Sequence, residues 1–130
     1  MKRPKLKRSK YGAVKTTVDG FIFDSKKEAR RYVILKLQLK CKDISDLRLQ
    51  VRFDLTPTIW INPDTKELSL TKVNKKYVCY QKLTFYKADF TYIDRNEVFV
   101  VEDVKGEKTA TYKRKCKQMK LLYNIIILET

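Results

Sequence analysis

The spacing of apolar residues along the chain predicts its elements in order. Lys15 to Phe23 sets an Asp19-Gly20 pair between β-forming residues, the signal of a hairpin. Ser25-Lys-Lys-Glu28 then has capping-box spacing and opens a helix that runs to about Lys42. Ala29, Tyr32, Val33 and Leu37 fall on one side of that helix, Leu35 and Leu39 widen the stripe, and Glu28 lies at its margin. Leu47 to Leu55 alternates in part and reads as a strand. Residues 57–76 are irregular and read as a hairpin or long loop around the Asn62-Pro-Asp-Thr65 turn. Tyr77 to Ile93 and Glu97 to Val104 have the strongest strand character, joined at Asp94-Arg95-Asn96. Thr109 to Tyr123 carries Tyr112, Cys116, Met119 and Tyr123 at helical spacing, Asn124 ends it, and Ile125 to Leu128 reads as a short buried strand.

Hairpin, helix, strands, helix, strand is the order of an α/β or α+β fold, a mixed sheet whose central strands are covered by helices. The length of 130 residues suits one domain with one core, assigned to residues 11–130. Residues 1–10 carry six lysines and arginines and no acid, and are expected to be a disordered basic arm.

Charge changes the picture more than length does. Thirty lysines and arginines stand against fifteen acids, a net charge of +15 that opposes compaction and calls for a polyanionic partner. Nucleic acid is the expected one, since neutralising phosphates releases counterions whatever the base sequence. No apolar run approaches the ~20 residues of a membrane span and no secretory signal opens the chain, so a soluble, cytoplasmic protein with no membrane partner is expected. Cys41, Cys79 and Cys116 have neither disulfide nor metal-site spacing and are expected to be buried or half-buried free thiols. Histidine is absent, which excludes histidine bases, triads and imidazole-held zinc. Catalysis would have to come from carboxylates, lysine, tyrosine and an oxygen-loving cation.

Those groups meet in Val98-Phe-Val-Val-Glu-Asp-Val-Lys105-Gly106, an apolar strand whose end carries Glu102, Asp103 and Lys105. Asp103 and Lys105 are two apart and share a strand face, while Glu102 alternates away and ranks below Asp103. The preceding strand adds Asp89 within Ala88-Asp89-Phe90. If the two strands pair, Asp89 stands opposite Val101, Glu102 or Asp103, according to the loop length. Acids and a lysine on central strands are costly unless a cation or partner compensates them. A structural Asp103–Lys105 ion pair is the plain alternative. Phosphodiester hydrolysis is the chemistry that needs this set: Mg²⁺ held by one or two carboxylates, with an ammonium beside the attacking water.

The pairing of Ala88-Asp89-Phe90 with Asp103-Val-Lys105, thirteen residues separating Asp89 from Asp103, resembles the signature of the PD-(D/E)XK nucleases. Together with Phe23-Asp-Ser-Lys-Lys-Glu28-Ala-Arg-Arg-Tyr32, Leu49-Gln50-Val-Arg-Phe53 and Val101-Glu-Asp-Val-Lys-Gly106, it is similar to an uncharacterised phage-encoded family assigned to that superfamily. It also resembles transposon end-cutting endonucleases, which place a glutamate on a helix before the aspartate strand. The resemblance implies a restriction-endonuclease-like, four-stranded mixed sheet flanked by helices, here with an extra N-terminal hairpin. Asp89, Asp103, the Val104 carbonyl and Glu28 would hold Mg²⁺, with Mn²⁺ able to substitute, and Lys105 would serve the attacking water. Ala88 stands where the superfamily's name has proline.

The expected activity is that of a metal-dependent DNA endonuclease, with branched or junction DNA as one substrate class and a homodimer as one assembly. A phage-encoded enzyme of this kind would work in the host cytoplasm. Arg30, Gln50, Lys108, Lys113 and Lys117 are the residues expected to face nucleic acid. The main rival is a non-catalytic nucleic-acid-binding protein on the same fold; a ribosome-associated protein would use the charge alone.

Overall fold

The computed structural model describes residues 14–105 and 107–130. The basic arm at 1–10 and the turn expected at Gly106 lie outside the described residues. The fold is α+β. The elements are β1 (Thr16–Val18), β2 (Phe21–Phe23), α1 (Lys26–Lys40), β3 (Ser45–Thr56), β4 (Ile59–Ile61), β5 (Leu68–Ser69), β6 (Val78–Gln81), β7 (Thr84–Ile93), β8 (Phe99–Asp103), α2 (Ala110–Tyr123) and β9 (Leu128–Glu129). They form a two-stranded hairpin β1-β2, a four-stranded sheet in the order β3-β7-β8-β9, and a three-stranded sheet in the order β5-β4-β6. β8 and β9 run parallel, with Glu102 beside Leu128 and Asp103 beside Glu129. The chain divides into two compact units: residues up to Leu47 with Tyr92–Val98, and Arg48–Thr91 with Phe99–Thr130.

In the first unit, Asp19 (φ 52°) and Gly20 (φ 81°) both take the left-handed conformation of a two-residue hairpin turn. The Asp19 carboxylate accepts from the Tyr32 hydroxyl at 3.1 Å and pairs with Lys36, locking the hairpin to α1. Tyr32 packs on Phe23 and Phe21, with ring centroids 5.1 and 5.9 Å away. That contact sets the rotation of α1 and corrects the expected stripe. Glu28, Ala29, Tyr32 and Leu35 are buried, whereas Val33, Leu37 and Leu39 are exposed. Asp94 builds the β7–β8 turn: its amide donates to the Val98 carbonyl, and its carboxylate accepts from the Asn96 and Val98 amides. Glu97 takes a left-handed φ of 60° there, so β8 starts two residues later than its apolar pattern suggested.

The core of the second unit gathers Leu55, Tyr86, Ala88, Val101, Tyr112, Met119 and Ile127, which seats α2 on the sheet. Thr109 caps α2 by accepting from the Tyr112 amide, and Asn124 ends it in the left-handed region at φ 54°. Two expectations change. The run expected as one strand over 77–93 splits between β6, which pairs with β4, and β7, which belongs to the larger sheet. The irregular segment 57–76 forms a hairpin, one of the two forms expected of it, with β4 pairing antiparallel with β5. The last strand is Leu128–Glu129 at the sheet edge, where one side stays open, so only Ile127 of the final apolar run is buried. Cys41 and Cys79 are exposed and Cys116 half-buried; all three are free. Among the described residues no helix is long and apolar enough to cross a membrane.

The hairpin turn yields a stability prediction. A Cβ at Gly20 would meet nothing within 4 Å, so a substitution there is penalised by φ alone. Gly20→Val should cost about 1–2 kcal/mol and Gly20→Asn clearly less, because asparagine tolerates the left-handed region. Equal melting temperatures for the two variants would contradict this.

Candidate active site at the end of strand β8

β8 delivers its acids to a fixed place because its end is bonded on both sides. The Thr130 amide donates to the Asp103 carbonyl at 3.0 Å, and the Lys105 amide donates to the Thr130 carbonyl at 3.1 Å. Between them, the Val104 amide donates to the Asp89 carboxylate at 2.9 Å. Asp89 therefore reaches the strand end from β7. None of these bonds uses the Val104 carbonyl.

Asp103 is 2% exposed and compensated at close range. Tyr86, on β7, donates its hydroxyl to Asp103 Oδ2 at 2.7 Å, and Lys105 Nζ lies 3.1 Å from the same oxygen. Both contacts fall on Oδ2; neither engages Oδ1. The Lys105 ammonium also rests over the Tyr112 ring, 4.2 Å from its centroid. That cation–π contact and the carboxylate hold the lysine between β8 and α2. Burial pushes the Tyr86 phenol well above its usual range, followed by its bond to Asp103 and the charges of Asp103 and Asp89. The phenol stays a donor at any working pH, and both aspartates act on it. Burial, with the Cys116 thiol second, raises the Tyr112 phenol too.

The residues expected from sequence are distributed as follows. Asp89, Val104, Asp103 and Lys105 come together at the end of β8. Glu102 is fully buried and alternates away from Asp103. Glu28 belongs to the first unit, is buried at 4%, and donates its amide to the Ser25 hydroxyl at 3.1 Å. Arg30, in the same unit, is exposed, as are Lys113 and Lys117 on α2. Lys108 pairs with Glu129 at 2.5 Å. Gln50 is half-buried within β3 and takes a left-handed φ of 55°, a conformation non-glycine residues hold only where surroundings enforce it. Sequence reasoning did not identify the bond from Tyr86 to Asp103. Tyr80, also on a strand, is 61% exposed.

Two carboxylates with backbone oxygen suit a hard cation, which takes one or two carboxylates and fills its remaining positions with water and phosphate. Among the described residues no three Cys, Asp or Glu side chains gather to hold an ion by themselves. The donor set thus fits a cation completed by water and substrate, not a closed structural metal site.

Glu28 can be tested against its capping position. Ser25→Ala should cost ~1 kcal/mol of stability through the lost cap. Glu28→Gln keeps any capping bond and should leave the melting temperature unchanged or higher. A melting temperature lowered as far by Glu28→Gln as by Ser25→Ala would show that the carboxylate charge itself stabilises the helix start.

A protein-family profile described as "Protein of unknown function (DUF1064)" matches residues 8–129. No curated protein and no solved structure matches the chain.

Proposed function

The chain belongs to the DUF1064 family, and we propose that it is a metal-dependent DNA endonuclease of the PD-(D/E)XK type. The observation that carries this reading is the convergence of Asp89, Asp103 and Lys105 around one strand end, with Tyr86 fixing the second aspartate. A structural ion pair would need Asp103 and Lys105 only. It would not need a second carboxylate on the neighbouring strand reaching the amide between them.

In this reading Asp89 and Asp103 hold Mg²⁺, or Mn²⁺ in its place, with the Val104 carbonyl adding a third oxygen. A cation bound there would polarise a phosphoryl oxygen and lower the pKa of the attacking water. Lys105, steered by Asp103 and the Tyr112 ring, orients that water or offsets charge building on the phosphate. Tyr86 holds Asp103 in one rotamer. The resemblance also implies a metal-binding role for Glu28, which lies in the first unit; the two-aspartate centre does not depend on it. Arg30, Gln50, Lys108, Lys113 and Lys117 are assigned to the nucleic acid. The excess of 30 cationic over 15 acidic residues supplies the attraction that brings substrate in.

The test uses linear, nicked and four-way-junction DNA with Mg²⁺, Mn²⁺ or EDTA. Cleavage should require either cation. It should fall by orders of magnitude in Asp103→Asn and Lys105→Ala, while DNA binding in EDTA survives in both. Cleavage at unchanged rate in EDTA or in either variant would overturn the assignment. Binding without cleavage of any substrate would favour a non-catalytic DNA-binding protein.

A further inference from the structure

The second unit holds another concave surface, away from the acids. Thr56 ends β3, Gln81 ends β6 and Thr84 opens β7; with Thr111, Arg114 and Lys115 of α2 they line a cleft of about 140 Å³, and Gln118 completes it. Thr111, Arg114, Lys115 and Gln118 are spaced i, i+3, i+4, i+7, so they share one helix face. That face lies beside the core stripe of Tyr112 and Met119; its four cleft residues are polar, and Leu122 follows them one turn on. Every lining side chain is a hydroxyl, an amide or a cation, and none is a carboxylate.

We propose that this cleft binds a backbone phosphate of the nucleic acid, as an anchor separate from the carboxylate site. Three observations support it. Neither Arg114 nor Lys115 takes part in an ion pair among the described residues, so both charges remain for a ligand. Lys115 is half-buried and lies over the Phe85 ring at 5.7 Å, which limits its wandering. The Thr56 and Thr84 hydroxyls share a hydrogen bond at 2.5 Å, leaving one of the two protons for an incoming oxygen.

Size narrows the ligand. The cleft is well under the ~300–1,000 Å³ of pockets that enclose small molecules, and suits one tetrahedral anion. The polymer is nucleic acid in consequence of the proposed function; the anion chemistry does not depend on it. Thr84 precedes Asp89 by five residues on β7, a strand length of ~17 Å. Five residues is an odd spacing, so the two side chains alternate to opposite faces of β7 and the cleft is a contact separate from the acid site.

Binding is measured in EDTA, where no cleavage occurs, by fluorescence anisotropy of a labelled DNA duplex across a salt series. Arg114→Gln/Lys115→Gln should weaken binding about tenfold and flatten the slope of log K against log salt by about 1–2. Lys66→Gln/Lys75→Gln removes equal charge from the same unit and should change the affinity far less. Thr111→Val removes no charge and should still weaken binding about two- to threefold. Equal losses in the two double variants, or none in Thr111→Val, would reduce the cleft to part of a general positive field and overturn the proposal. Wild-type protein that fails to bind DNA would overturn it as well. Inorganic phosphate is the second probe. If it shifts the amide resonances of Thr84, Thr111 and Arg114 while the double variant binds DNA normally, the cleft takes a free anion and not the polymer. Normal cleft behaviour in a protein that never cleaves DNA would defeat the nuclease reading alone.

Discussion

Burying a carboxylate to 2% exposure at the end of a central strand is unfavourable unless its charge is answered on the spot. Asp103 is answered by a phenol from β7 and an ammonium two residues along its own chain, both on one oxygen. The ammonium is in turn seated on an aromatic ring of α2. One acid thereby links β7, β8 and α2, and removing one partner of such a buried set typically costs about 3–5 kcal/mol. The same arrangement fixes the direction of the acid, which a cation site requires. Hydrogen bonds from Thr130 and to Asp89 hold the intervening backbone, so the side chains at 103 and 105 leave a rigid strand end.

Around this acidic point the protein is strongly basic. A net charge of +15 on 130 residues raises the local concentration of any polyanion, but it gives no position or orientation by itself. Position comes from pairs and concavities. Lys108 is tied to Glu129 and Lys36 to Asp19, whereas Lys113 and Lys117 stay on an exposed helix face.

Much of this was legible in the sequence. The Asp19-Gly20 turn, the Ser25 cap, the Asn124 stop and the run ending in Asp103 and Lys105 each carry a local chemical signal, and the elements follow them. The remainder depends on partners distant in sequence. Nothing in Gln81-Lys82-Leu83 marks a break, since glycine and proline are absent there; the split between β6 and β7 follows from which sheet each strand joins. The buried face of α1 was misjudged because leucine and valine spacing outweighed Tyr32, whose packing on Phe21 and Phe23 decides the rotation. Tyr77, Tyr80 and Tyr86 look alike along the chain. One donates to Glu67, one is exposed, and one holds Asp103, a distinction made by neighbours seventeen residues away in the last case.

The central claim is that Asp89 and Asp103 form a cation site completed by water and phosphate. The most direct measurement is paramagnetic broadening of backbone amide signals by substoichiometric Mn²⁺ in the full-length protein. Broadening should begin at Asp89 and at Asp103, Val104 and Lys105, and should vanish from those amides in Asp103→Asn at the same Mn²⁺ concentration. Broadening that starts at exposed acids such as Glu107, or that persists at the strand end in Asp103→Asn, would contradict the account.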